Sequence, residues 1–485
     1  MGSRVLGLIR DRLLGSAFGA SLLLDAFFLA FALPNLLRQL FGEGALTTAF
    51  IPRYVRLRDA DASGIGEGER FAGLVLTRLC ALLGLFAAIG MAAAALLILI
   101  AGPRTALVAI LALVQIPYLV FICAAAVMAG MLQARGMFWV PAASPLLLNV
   151  CLIAAVILSR DPLVLPWAVL IAGILQAAFH LWALHGTKGA VPALSWQSTQ
   201  ALRELRRAWV PTVLAASAQQ INVFLDSLIA YALLAHRPGA VTVLYFANRL
   251  LQLPMALVAN GVATAIYPDM ARAHREAGWT GLGVLLRRGT AMLSGLQLPA
   301  AIGLWLCADP LVRTVFQAGA FGPEAASRTV LVTQFYAVAL IPLSLNKLLI
   351  RAHHAGLDHR RPLIFAYISV AVNLVLNVIL VQTPLYEAGL ALATLCSGTL
   401  AAALAAFSLR QRGSGALISL PLLLRPALAS LIMGLAVWLL LHYWQLDPAA
   451  GSLQHGWRLF GAVVLGVAVY ALVCGRRGLA ALRRG

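Results

Sequence analysis

Apolar residues run along this chain in blocks long enough to cross a bilayer, with polar residues gathered between them. A helix spanning the hydrocarbon core needs about 20 mostly apolar residues. After an opening pair within residues 3–45, such runs fall at 71–101, 105–134, 140–158, 163–186, 209–235, 240–270, 284–309, 326–350, 361–382, 387–409, 420–444 and 456–474. The pattern predicts an all-α polytopic membrane protein of about fourteen transmembrane helices. The longest hydrophilic stretches, 53–70 and 187–208, are too short for a folded soluble domain. No extramembrane catalytic module is expected.

Composition agrees: 62% of residues are hydrophobic and 11% charged, against about 25% charged in soluble domains. The net charge of +19 would suit a nucleic-acid partner, but its placement argues otherwise. Counting loops in order, 23 Lys and Arg fall in even-numbered loops and the C-terminus, and 6 in odd loops. That bias predicts both termini and the even loops on the cytoplasmic side. No cleavable leader is legible, and the first helix is expected to begin almost at Met1, several residues short.

Cys80, Cys123, Cys151, Cys307, Cys396 and Cys474 are scattered with no C-x-x-C spacing, so neither disulfide nor metal is expected. His353, His354 and His359 read as a wet, basic loop. No nucleophile–base pair, Walker loop or zinc pattern is present; "GLGVLLRRG" at 281–289 lacks the GK[ST] ending of a phosphate loop. One echo is internal. "TAFIPRYVR" at 48–56 and "TAIYPDMAR" at 264–272 sit at a constant offset on the second and eighth helices. They fit two parallel six-helix repeats.

Charge inside the apolar runs carries the functional signal, because an ionised side chain at the bilayer centre costs roughly 2.5–3.5 kcal/mol on insertion scales. Arg4 and Asp11 share a face of the first helix, with Arg10 to one side. Asn35, Arg38 and Gln39 cluster after Pro34, which can loosen the backbone. Asn248, Arg249 and Gln252 cluster ahead of Pro254. Two readings stand: the arginines snorkel to the interface, or they line a cationic cavity. Guanidinium forks match phosphate, so the cavity reading implies a phosphate or pyrophosphate ligand. Asp25 is either a helix N-cap or a cavity residue, and Glu43, between glycines, either pairs with an arginine or marks a hinge. A second constellation joins Gln219, Asn222 and Asp226 on the seventh helix, Asn373 and Asn377 on the eleventh, and Thr394 on the twelfth. Its oxygens suit Na⁺; interhelical hydrogen bonding is the alternative.

The stretches "SRVLGLIRD", "DAFFLAFALPNLLRQLFGEGALTTAFIP" and "FQAGAF" (316–321) resemble the MurJ/MviN family of lipid II flippases, within the multidrug/oligosaccharidyl-lipid/polysaccharide exporter superfamily. The resemblance covers essentially the whole chain. It implies an N-terminal lobe over 1–186, a cytoplasmic amphipathic linker over 187–208, a C-terminal lobe over 209–410, and two last helices over 411–485 that form a groove for a polyprenyl tail. The two lobes would be pseudo-symmetric and surround a cavity lined by the first, second, seventh and eighth helices. It further implies that undecaprenyl-pyrophosphate-linked peptidoglycan precursor moves from the cytoplasmic to the periplasmic leaflet of the inner membrane by alternating access. By this resemblance Arg4, Arg10, Arg38 and Arg249 are the substrate-binding arginines, with Asp25, Asn35 and Glu43 also matching and Asn248 and Gln252 beside Arg249. A sodium site would fall on Asp226, Asn373, Asn377 and Thr394, with membrane-potential coupling and no other cofactor. Membrane lipids and other cell-wall synthesis proteins are the further partners implied. There are departures. Many relatives carry acids where this chain has Asn248 and Gln252, Asn377 replaces a carboxylate of the sodium-binding members, and Gln39 stands where a second basic residue is common. The remaining alternatives are a flippase for another polyprenyl-linked oligosaccharide and a polytopic glycosyltransferase using a polyprenyl-phosphate donor.

Overall fold

A computed structural model describes every residue except Met1, 42–44, 61–65, 188–191, 193–194, 197–198, 416–419, 448–449 and Gly485. The chain divides into two compact units, Met1–Tyr231 and Ala232–Gly485. The first holds α1 (Gly2–Phe18), α2 (Leu22–Phe41), α3 (Ala45–Asp59), α4 (Glu67–Ile100), α5 (Pro103–Gln115), α6 (Tyr118–Ala134), α7 (Trp139–Leu158), α8 (Val164–His185) and nearly all of α9 (Gln200–Leu233). The second holds α10 (Ala240–Pro254), a π-helical turn (Met255–Ala259), α11 (Asn260–Leu306), α12 (Ala308–Phe316), α13 (Pro323–Ala355), α14 (Arg360–Leu380), α15 (Glu387–Gln411), α16 (Leu420–Tyr443) and α17 (Ser452–Arg484). An all-helical answer is the expected one. Hydrocarbon offers the backbone no partners, so each segment must bond to itself.

Proline and glycine place the breaks. Gly19 (φ 65°) closes α1 by donating to the Gly15 carbonyl, a left-handed C-cap. Pro103 opens α5 at its first turn. The apolar run 105–134 is two helices, because Pro117 stands between α5 and α6. Pro34, by contrast, lies inside an unbroken α2. After Pro254, whose ring nitrogen cannot donate, α10 widens into the π turn. The segment between the expected eighth and ninth helices, 271–283, is helical rather than a loop, with a kink at Ala277 and Gly278 (φ 59°).

Eleven segments among the described residues are long and apolar enough to span a membrane. Fourteen is not reached by that measure. Ala240–Leu306 counts as one 67-residue segment, α1 has 17 residues, and Gln220–Leu233 is shorter still.

In the first unit, Phe50 of α3 stacks on Phe71 of α4 at 5.6 Å, against buried Val127 and Met131 of α6. Gly173 lets α8 approach the Tyr118 ring, where a Cβ would stand 2.6 Å away. In the second unit α13 packs between α11 and α15. The "FQAGAF" stretch forms a tight turn bridged from Ala318 to Phe321. Its Phe316 stacks on Phe246 at 4.4 Å, which seats the turn on α10. His353 corrects the expectation of a wet loop. It lies on α13 with no exposed surface, Nδ1 bonding the Leu349 carbonyl and Nε2 the Ser408 hydroxyl.

Candidate anion-binding site

The first-unit arginines sit differently from one another. Arg4 is exposed on α1. Arg10 is buried, with Nε and Nη2 donating to Asp11 Oδ1 at 2.9 and 2.6 Å and Nη1 to Asn149 Oδ1 at 3.1 Å. Asn149, on α7, donates in turn to the Ser3 and Pro145 carbonyls at 3.3 and 3.4 Å. Arg10 therefore ties α1 to α7, and Asn149 is a polar partner that the sequence reading passed over. Arg38 of α2 donates through Nε and Nη2 to Asn35 Oδ1 at 3.2 and 2.9 Å. The i, i+3 spacing of this pair stiffens the guanidinium on one face. Glu43 lies outside the described residues.

Asp25 is not the cap of α2. Ser21 is, its Oγ accepting from the Leu24 N–H at 3.3 Å. Asp25 is buried one turn in and close enough to Tyr231 to act on it electrostatically. Tyr231 in turn bonds the Arg104 carbonyl, and the Arg104 guanidinium lies 5.0 Å over its ring.

In the second unit Arg249 donates to the Tyr245 hydroxyl at 2.6 Å and lies 5.0 Å over the same ring. Gln252 Nε2 donates to Asn248 Oδ1 at 3.2 Å, so the two neutral residues near Arg249 bond to each other along an exposed edge. Further along, past the π turn, Lys347 Nζ of α13 donates to Asn260 Oδ1 at 2.9 Å. Arg351, one turn on, lies 5.5 Å over the Tyr267 ring. Neither residue had been singled out. Lys347 is one of only two lysines in the chain and sits inside an apolar run, which was the available signal.

The neutral cluster in this unit is compact. Asn377 Nδ2 donates to Asn373 Oδ1 at 2.7 Å, and Asn373 Nδ2 to the Ser397 hydroxyl at 3.3 Å. Both asparagines are buried. Thr394 donates to the Leu390 carbonyl of its own helix, and Ser397 links α15 to the asparagines. The Asn373–Ser397 bond is an interhelical one between α14 and α15. The buried oxygens are also of the kind a hard cation accepts. In the first unit, Asp226 is buried.

At the even-loop end of the first unit, Arg56 of α3 pairs with Glu204 of α9 at 3.1 Å, and Arg53 donates to the Glu204 carbonyl. The Arg56 guanidinium holds the Glu204 carboxyl below the usual carboxylate range. Tyr54, Glu69 and Arg135 form a second contact, with Arg135 to Glu69 at 2.5 Å.

A family model described as "Lipid II flippase MurJ" matches residues 14–455. The chain belongs to the MurJ family. It is 32% identical over its full length to "Probable lipid II flippase MurJ" of Rhizobium meliloti (strain 1021), covering 94% of that protein. It is 30% identical to "Lipid II flippase MurJ" of Burkholderia cenocepacia, over 85% of this chain and 82% of that one. Its fold matches the solved "Lipid II flippase MurJ, inward closed conformation" with a TM-score of 0.77 at 23% identity, over 97% of this chain and 96% of that one. It also matches an inward-facing multidrug resistance MATE family transporter of the MOP superfamily with a TM-score of 0.71 at 17% identity, over 86% and 95%. The protein is a multi-pass membrane protein with a transporter fold, not an enzyme.

Proposed function

We propose that this protein flips lipid II, moving the pyrophosphate-linked headgroup from the cytoplasmic to the periplasmic leaflet of the inner membrane by alternating access. The observation that carries the reading is the placement of guanidinium groups inside membrane helices of a MurJ-family fold. Seven Lys and Arg fall within the apolar segments, against Asp11, Asp25, Glu43 and Asp226. Arg38 and Arg249 are each oriented by a neutral neighbour, Asn35 and Tyr245, and the planar guanidinium fork matches phosphate oxygens. The headgroup replaces water around these cations, while the polyprenyl tail stays in lipid along the groove assigned to residues 411–485. The boundaries at 186/187, 208/209 and 410/411 and the cytoplasmic placement of both termini belong to this reading.

Once the headgroup neutralises the cations, the state that best accommodates the neutral complex is favoured. A ligand shifts an equilibrium only by its differential affinity for the two states. The empty carrier is positive, so a negative-inside potential favours its return, by about 2.3 kcal/mol per charge per 100 mV. Sodium, the coupling ion that the resemblance implies, would supply a second coupling, and Asn248 and Gln252 leave the site near Arg249 more positive than an acidic pair would.

The test is transport of fluorescent lipid II in proteoliposomes. Arg249→Ala and Arg38→Ala, at wild-type incorporation, are expected to lose about tenfold or more in initial rate, in line with loss of a charged hydrogen-bonding partner. Exchanging Na⁺ for choline is expected to slow the wild type. Wild-type rates in both alanine variants would remove the reading.

A further inference from the structure

We propose that Lys347 and Arg351 form a second anion subsite, at the even-loop end of the second unit, which receives a phosphate or pyrophosphate headgroup before it reaches Arg249. The inference rests on the flippase reading for its direction, but the subsite stands on its own geometry.

Two rungs define it. Lys347 and Arg351 are four residues apart on α13 and share a face. Asn260 and Tyr267 are seven apart on α11 and also share one. Lys347 bonds the Asn260 amide oxygen and Arg351 lies over the Tyr267 ring. Both partners are neutral, and neither cation forms an ion pair among the described residues. An amide oxygen takes one of the three ammonium protons, and a ring face satisfies none of the guanidinium's in-plane donors. Two adjacent positive charges are thus held in place with donors to spare. Like charges at i, i+4 repel, so the arrangement is stabilised when an anion bridges them.

Position supports the same assignment. α13 has 33 residues, about 50 Å of helix, against a hydrocarbon core of about 30 Å. Shared evenly, the excess places the inner boundary of the core about 10 Å before Ala355. Lys347 stands about 12 Å before that end, and Arg351 about 6 Å. The pair lies at the depth where the phosphates of a lipid reside. From Asn260 the chain runs back through the π turn to Arg249, eleven residues or about 16 Å of helix away. A headgroup leaving the leaflet meets Lys347 and Arg351 first and Arg249 after.

The experiment uses the full chain in nanodiscs and three probes: inorganic pyrophosphate, labelled lipid II, and phosphatidylglycerol against phosphatidylcholine. The variants are Lys347→Gln with Arg351→Gln, and Asn260→Asp, which sets a carboxylate against Lys347 without touching either cation. Lys347→Arg is the conservative control. Binding of pyrophosphate and of lipid II is expected to weaken by about tenfold in the double variant and in Asn260→Asp, each cation being a charge-assisted partner. Lys347→Arg is expected to keep wild-type affinity. Pyrophosphate affinity within twofold of wild type in both variants, with wild-type unfolding midpoints, overturns the subsite. So does a loss confined to phosphatidylglycerol retention, which would make the pair a bulk-lipid contact. If the wild type binds pyrophosphate through this pair but neither binds nor flips lipid II, the subsite is upheld and the flippase reading fails.

Discussion

Arg10 shows how a charge is kept inside a membrane helix. Its guanidinium is matched to Asp11 at 2.6 Å and to Asn149 at 3.1 Å, and 6% of its side chain is exposed. A buried charge left without its partners is far more costly than the pair itself is stabilising. Asn149→Leu removes the acceptor and is expected to cost about 1.5–3 kcal/mol, the worth of a hydrogen bond to a charged group. The unfolding midpoint of the purified protein reads this directly, and an unchanged midpoint would show that the contact contributes nothing. Charged residues such as Arg38 and Arg249 were legible in the sequence, because an arginine in an apolar run needs a reason. Asn149, the partner of Arg10, and Ser397, the partner of Asn373, were not, because a neutral polar residue is inexpensive in a bundle and its partner depends on helix–helix register. Asp25 was half legible: its position near a helix start is right, but Ser21, four residues earlier, is the cap.

At the scale of elements, apolar periodicity located nearly every helix, and proline and glycine decided what periodicity could not. The run 105–134 reads as continuous hydropathy, yet Pro117 splits it. Hydropathy also stops at the membrane boundary, so the helical course of 271–283 was invisible to it. One contact between elements is testable by pH. Glu204 of α9 is held below its ordinary pKa by Arg56 of α3. A carboxylate depressed in the folded state stabilises the contact above its unfolded pKa and ceases to as pH falls through the folded value. The α3–α9 separation, read by spin labels placed beside Arg56 and Glu204, is expected to be constant through neutral pH and to lengthen only on acidification below the usual carboxylate range. Glu204→Gln is expected to abolish the transition. A separation that changes instead between pH 6 and 8 would mean that another group, such as a histidine, controls it.

For the molecule as a whole, charge asymmetry, helix content and the intramembrane arginines converge. The excess of Lys and Arg in even loops fits the proposed orientation, the MurJ-family fold supplies a transporter architecture, and the cations inside the helices fit the proposed pyrophosphate ligand. The most direct measurement is made in cells. The native lipid II flippase of a bacterial host is depleted while this chain, wild type or Arg38→Ala, is expressed at equal level, and labelled lipid II is assayed at the outer leaflet. Rescue of growth and of outer-leaflet lipid II by the wild type, with failure of Arg38→Ala, is the predicted result. A well-expressed wild type that restores neither would contradict lipid II flipping and transfer the same cationic site to another polyprenyl-linked glycan.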